Sequence, residues 1–254
     1  MSHHVVEVDC LDYRYPDGTP ALHEIHFTIR HGEAVAIIGA NGAGKSTLLR
    51  HLTGILVPAS GSVHIGDYPV LPSTLRQVRR TVGMVFQDAD DQLFMPTVYE
   101  DVAFGPANQG LPPPDVEKRV ADALATVGCG HLRDRPPYRL SGGEKRAVAI
   151  ATVLAMMPDI LVMDEPTAGL DARARRHCIG LLKAFAHTRI VATHDLDLAL
   201  DVCERVIVLH EGRVEADGAA QAIFSNTALL ERCHLEPPLR MQGCPCCSGK
   251  PGAA

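Results

Sequence analysis

One nine-residue stretch limits this chain more than any other: Gly39-Ala40-Asn41-Gly42-Ala43-Gly44-Lys45-Ser46-Thr47. It fits the pattern glycine, four residues, Gly-Lys-Ser. The apolar run Ala34-Val35-Ala36-Ile37-Ile38 leads into it and reads as a strand buried on both faces. Thr47 to Leu52 follows and reads as the first turns of a helix. In that setting Gly39, Gly42 and Gly44 let the backbone turn tightly and aim its N–H groups at phosphate oxygens. The helix N-terminus adds partial positive charge at the same point. Lys45 supplies a point charge for β- and γ-phosphates, and the Ser46 hydroxyl suits Mg²⁺, a hard oxygen-seeking cation. A glycine turn beside a surface lysine is the plainer alternative; the flanking strand and helix weigh against it.

The chain has 254 residues, enough for one large domain with a sub-lobe. Its net charge of −6 argues against a broad basic surface for nucleic acid. The longest mostly apolar stretch, Ala147 to Met157, is 11 residues with Thr152 inside it, well short of the roughly 18 of a membrane helix. No signal peptide is visible at Met1-Ser2-His3-His4. The expectation is a soluble, cytoplasmic protein that meets a membrane only through partners. Cysteines 10, 129, 178, 203 and 233 sit singly among apolar residues and read as small core residues.

In chain order, Val5 to Asp9 and His26 to Ile29 alternate, predicting a small antiparallel sheet at the N-terminus. Between them Pro16-Asp17-Gly18 marks a turn. Tyr15, just before it, either stacks on an adenine ring or packs on its own turn. Ser62 to Ile65 is a short strand, and Val82 to Phe86 is a buried one ended by Gln87. The Gln87 carboxamide can reach Mg²⁺ or an attacking water without adding charge, or is simply polar. From about residue 90 to 157 the pattern is helical, predicting an inserted lobe. Thr97 with Glu100 forms a plausible helix cap, and Val116, Val120, Ala123, Leu124 and Val127 share one face of a helix. Val206 to Leu209 and Arg213 to Glu215 predict a hairpin across Glu211-Gly212. Pro237 to Ala254 is Pro/Gly-rich and is expected to lack order, with the domain ending near residue 240.

Leu140-Ser141-Gly142-Gly143-Glu144 precedes the apolar run 147–157, and Ser-x-x-Glu there is a helix capping box. Two glycines in a first helical turn cost about 1 kcal/mol each against alanine, so a further use is expected: close approach of Ser141, Gly142, Gly143 and Glu144 to an anion. This second anion site can serve a γ-phosphate only if two chains pair. Ile160 to Met163 is a buried strand ending in Asp164-Glu165. Those carboxylates would stand at the C-terminal edge of a parallel sheet, with Asp164 holding Mg²⁺ through water and Glu165 acting as general base. An exposed acidic turn before Pro166 is the alternative. Arg189 to Thr193 ends likewise at His194, which either holds the γ-phosphate and orients the water or is structural; its place at the end of a third strand in register with the other two favours the first.

Together these residues resemble the ATP-binding subunit of an ABC transporter over residues 5 to about 235. The resemblance implies a P-loop NTPase, an α/β fold with a RecA-like parallel-sheet core, an N-terminal antiparallel β subdomain and an inserted helical one. It makes Tyr15 the adenine-stacking aromatic, Gly39–Thr47 the Walker A loop, Gln87 the Q-loop and Ser141–Glu144 the signature motif acting in trans. Asp164 and Glu165 end Walker B, Leu170-Asp171 lies in the D-loop, and His194 is the switch histidine. ATP and Mg²⁺ are implied, with ATP sandwiched between two subunits. Every motif is intact, so a homodimer would have two competent sites. Tyr15 to Leu22, Phe86 to Phe94 and Glu100 to Pro106 look like the energy-coupling-factor importers, most of all the cobalt/nickel ATPase subunit. That implies a transmembrane coupling protein received at residues 90–104, a substrate-binding membrane protein, and a place on the cytoplasmic face of the cell membrane.

Two departures are small: Glu144 stands where the family often has Gln, and Ala172 where Pro usually follows Leu-Asp. Cys244, Cys246 and Cys247 have no family counterpart; they form either a soft-metal site or an incidental tail. His3 and His4 are open in the same way. A vitamin importer (biotin, thiamine, riboflavin) would use the same ATPase. An ABC ATPase of translation or DNA repair usually carries two cassettes or a long coiled-coil insertion, and neither is present. A GTP-binding switch would need an Asn-Lys-x-Asp motif, which the sequence lacks.

Overall fold

The computed structural model describes residues 6–242. Chain order begins with β1 (Val6–Arg14), β2 (Pro20–Ile29), β3 (Ala34–Ile38), α1 (Lys45–Leu52), β4 (Ser60–Ile65), β5 (Tyr68–Pro69), α2 (Leu75–Thr81) and β6 (Val82–Val85). Three helices follow without an intervening strand: α3 (Val98–Asn108), α4 (Pro113–Thr126) and α5 (Gly142–Leu154). The chain then returns through β7 (Ile160–Asp164), α6 (Ala172–Ala184), β8 (Thr188–Thr193) and α7 (Leu196–Val202). It closes with β9 (Arg205–His210), β10 (Arg213–Ala219), α8 (Ala220–Phe224) and α9 (Thr227–Arg232).

The strands form two sheets. An antiparallel one runs β2-β1-β4-β5, and the main one runs β10-β9-β3-β8-β7-β6, parallel except for the β9–β10 hairpin. The α/β expectation with an N-terminal antiparallel sheet therefore holds. Side-chain alternation explains the layering. Val35 and Ile37 of β3 pack with α1 and the antiparallel sheet, while Ala34, Ala36 and Ile38 pack with the helices opposite. Both faces of β3 are covered, as an inner parallel strand requires, while the edge strand β10 is left partly exposed. Val35 and Ile37 are 0% exposed, and burying each side chain is worth about 1.5–3 kcal/mol. The inserted helices α3–α5 share one continuous core with the sheet and with α6–α9.

Two expectations fail for local reasons. Cys10 is exposed, not a core residue: β1 bulges between Val8 and Leu11, which puts Cys10 at φ 47° and turns it outward. Residues 237–242 are ordered against α7. The Asp197 carboxylate accepts from the Leu239 N–H at 2.9 Å, and Arg240 reaches Asp201 at 2.8 Å, so the proline-rich composition is overridden by two carboxylates on the neighbouring helix. Cys244, Cys246, Cys247, His3 and His4 lie outside the described residues.

The bulge also fixes Gly61, which has φ +74° and whose added Cβ would overlap the Cys10 carbonyl. Gly61→Ala should lower stability by about 2–3 kcal/mol. Gly110→Ala, at φ +84° with open space around it, should cost about 1 kcal/mol. Urea unfolding midpoints of the two variants check this; equal losses would contradict the close approach at Gly61.

Candidate active site

The parallel ladder brings four strand ends level. Ile38 pairs with Thr193, Asp164 with Ala192, and Val85 with Met163. Residues following these ends therefore meet at one edge, where open α/β sheets bind ligands. A cleft of about 460 Å³ there is lined by Tyr15, Asn41 to Thr47, Gln87, Asp164, Glu165 and His194, with Thr19, Pro20 and Ala21 at its rim.

Three ionisable groups in it are nearly dry. Lys45, Asp164 and Glu165 are 7%, 5% and 7% exposed. Lys45 Nζ donates to the Gly39 and Ala40 carbonyls at 2.7 and 3.2 Å, and lies 4.0 Å from Glu165. Burial pulls the Lys45 pKa down, against the pull of Glu165 and Asp164. Burial likewise pushes the Asp164 carboxyl up, against hydrogen bonding from Ser46. Asp164 Oδ1 is buried with no hydrogen-bond partner. Such an atom is costly unless something fills the gap. A hydroxyl, an orphaned carboxylate oxygen and a carboxamide at Ser46, Asp164 and Gln87 are the hard oxygen donors Mg²⁺ takes, so the residues fit that ion.

Glu165 is held on several sides. Its φ of 45° is rare for a residue with a side chain. Its N–H donates to the Ala192 carbonyl at 2.8 Å, anchoring it to β8. Oε2 accepts from the Thr193 hydroxyl at 2.9 Å, and Oε1 from the His194 N–H at 3.0 Å. His194 Nδ1 lies 2.7 Å from Oε1 and must carry the proton, since a carboxylate only accepts; Nε2 is left for other partners. A carboxylate so oriented at the end of β7, beside the phosphate loop, can polarise a water.

Ser141–Glu144 takes no part in that cleft. Ser141 caps α5 in a complete capping box, with Ser141 N and Oγ donating to Glu144 Oε2 at 2.8 and 2.7 Å. Gly143 has a packing reason: an added Cβ would sit 2.8 Å from Ala174 of α6. Gly142 has none, with open space around it, and it lines an adjoining cleft of about 600 Å³ with Ser46, Gln87 and Asp164. Ala40 faces the C-terminal segment, and Gly39 backs onto the Leu209 carbonyl.

Two residues in this framework escaped the sequence reading. Thr193 steers Glu165 and accepts from the Asp195 N–H at 3.0 Å. Buried Arg146 ties α5 to the Gln87 turn by donating to the Phe86 carbonyl at 2.6 Å and to that of Gln87. An arginine beside the apolar face of a buried helix was the available signal.

The ABC transporter family model matches residues 22–168. This chain belongs to that family. The Geobacter sulfurreducens protein GSU1281, named as an ABC transporter ATP-binding protein, is 67% identical over 97% of this chain and 99% of its own length. The energy-coupling factor transporter ATP-binding protein EcfA of Methanocaldococcus jannaschii is 46% identical, over 92% of this chain and 86% of its own. The structure of cbiO1 from Clostridium perfringens, described as part of the ABC transporter complex cbiONQ, superposes with TM-score 0.79 at 42% identity. It covers 91% of this chain and 94% of that one. This ABC ATPase is of the energy-coupling-factor type, binds ATP and hydrolyses it. Among the described residues no helix is long and apolar enough to cross a membrane.

The raised Asp164 pKa gives a prediction for the nucleotide-free ABC ATPase. Below the unfolded carboxyl pKa of about 3.9 both states are protonated, so folding carries no penalty. As pH rises, the unfolded chain releases its proton first. The penalty grows until pH passes the folded pKa and is complete above it. Asp164→Asn should therefore stabilise the free protein at pH 7.5 by about 1 kcal/mol, and less as pH falls towards 4. Thermal unfolding at the two pH values checks the sign.

Proposed function

We propose that this subunit powers uptake of a transition-metal cation, cobalt or nickel, through an energy-coupling-factor importer. The observation that carries the catalytic part is the meeting of Lys45, Asp164, Glu165 and His194 around the phosphate loop at one sheet edge. The cargo reading is supported by the likeness to cbiO1 of the cbiONQ complex and by the Phe86–Phe94 and Glu100–Pro106 segments.

The phosphates of ATP rest on the N–H groups of residues 39–47 and on Lys45, and the base lies against Tyr15. Ser46, Asp164 and Gln87 would hold Mg²⁺, which supplies positive charge opposite the phosphate oxygens. Glu165, steadied by Thr193 and His194, takes the proton of the attacking water, and His194 keeps the terminal phosphate in line. Ser141, Gly142, Gly143 and Glu144 do not line the phosphate-loop cleft of their own chain, which supports their serving the nucleotide of a second copy. Two ATP close the homodimer; hydrolysis and phosphate release reopen it.

Residues 90–104 pass that movement to a transmembrane coupling protein, which works beside a substrate-binding membrane protein. Phe94 and Phe104 are exposed there, at 63% and 44%, with their rings edge-on at 5.1 Å. Buried Asp101 braces the turn by accepting from the N–H groups of Phe94 and Met95, both at 3.0 Å. An exposed aromatic pair on a braced turn suits a partner helix. The subunit is thereby held at the cytoplasmic face of the membrane.

Cells carrying this subunit with its native membrane partners should accumulate nickel or cobalt, and Lys45→Ala should abolish that accumulation with the protein present at normal level. Uptake indifferent to Lys45 would move the cargo to another solute, such as a vitamin.

A further inference from the structure

Tyr15 and Thr47 belong to a closed circuit of four residues whose other two members, Tyr13 and His51, have no part in the proposed function. The Tyr15 hydroxyl meets Thr47 Oγ1 at 2.7 Å. The Tyr15 ring sits edge-on to Tyr13, centroids 5.2 Å apart and planes at 81°. Tyr13 is edge-on in turn to His51, at 4.7 Å and 73°. His51 Nδ1–H donates to the Thr47 carbonyl at 2.9 Å, which returns to the start. Thr47 belongs to the phosphate loop, so the circuit joins the base side of the cleft to its phosphate side.

His51 stands out on its helix. It is 0% exposed beside Leu48, Leu49 and Leu52, and its Nε2 is buried without a hydrogen-bond partner. A buried orphan nitrogen costs stability that a fourth leucine would avoid. Burial lowers the His51 pKa and keeps the ring neutral, so it pairs no charge. What the imidazole offers and leucine does not is one N–H for the Thr47 carbonyl and a ring edge for Tyr13.

We infer that Tyr13 and His51 are positioning residues that hold the Tyr15 ring in one orientation for the adenine of ATP. A platform already ordered before binding spares the nucleotide the cost of ordering it. Edge-to-face aromatic pairs are strong enough to do this. The inference rests on the reading of Tyr15 as the base platform.

The test is steady-state ATP hydrolysis by the purified protein, with inorganic tripolyphosphate as competitor. Tripolyphosphate has phosphates and no base. Tyr13→Leu and His51→Leu should each raise KM for ATP about three- to tenfold. They should leave kcat and the inhibition constant of tripolyphosphate within about twofold of wild type. Tyr13→Phe, which keeps the ring, should restore the wild-type KM. If KM and the tripolyphosphate constant rose together, the two residues would be supporting the phosphate loop and the inference would fall. It would fall too if Tyr15→Ala raised KM while neither leucine variant did. If Tyr15→Ala left KM unchanged, the base-platform reading itself would be wrong.

Discussion

The in-register parallel ladder of β3, β8, β7 and β6 is the constraint on which the rest depends. Because Ile38 faces Thr193 and Asp164 faces Ala192, the loop after β3 and the residues ending β7 and β8 arrive at one level. A one-residue slip would exchange the two faces of every strand and carry Glu165 away from Thr193. The register is secured by burial on both faces: β3 and β7 have no exposed residue, and their alternate side chains feed two separate cores.

The same ladder places charge where solvation is poor. Lys45, Asp164 and Glu165 are buried together, and the two carboxylates outnumber the lysine. Asp164 keeps an orphaned oxygen, and Lys45 spends its hydrogen bonds on its own loop's carbonyls. Such an edge is costly when free and rewards a ligand that brings phosphate oxygens to Lys45 and a cation to Asp164.

Much of this was legible in the sequence, because the informative residues are contiguous. Residues 34–47, 160–165 and 189–194 each carry a strand and the cleft-lining residues that follow it in one short run. What stayed hidden depends on neighbours distant in the chain. Arg146 finds its carbonyls about 60 residues away at the Gln87 turn, and Thr193 finds Glu165 28 residues away. The packing of Gly143 against Ala174 of α6 could not be read from the sequence either, because that neighbour lies about 30 residues on. The exposure of Cys10 follows from a bulge that alternation cannot show, and the order at 237–242 from Asp197 and Asp201.

The two groups of residues to which the proposed function gives roles sit on different elements. Glu165 is fixed from β8 at the phosphate loop, while the Ser141 cap and the open Gly142 belong to α5 across a second cleft. The central claim is that the clamped Glu165 carboxylate is the base. ATP turnover by Glu165→Gln, measured beside ATP binding by the same protein, tests it most directly. Turnover should fall about 100-fold or more while ATP still binds. Turnover at the wild-type rate would contradict it.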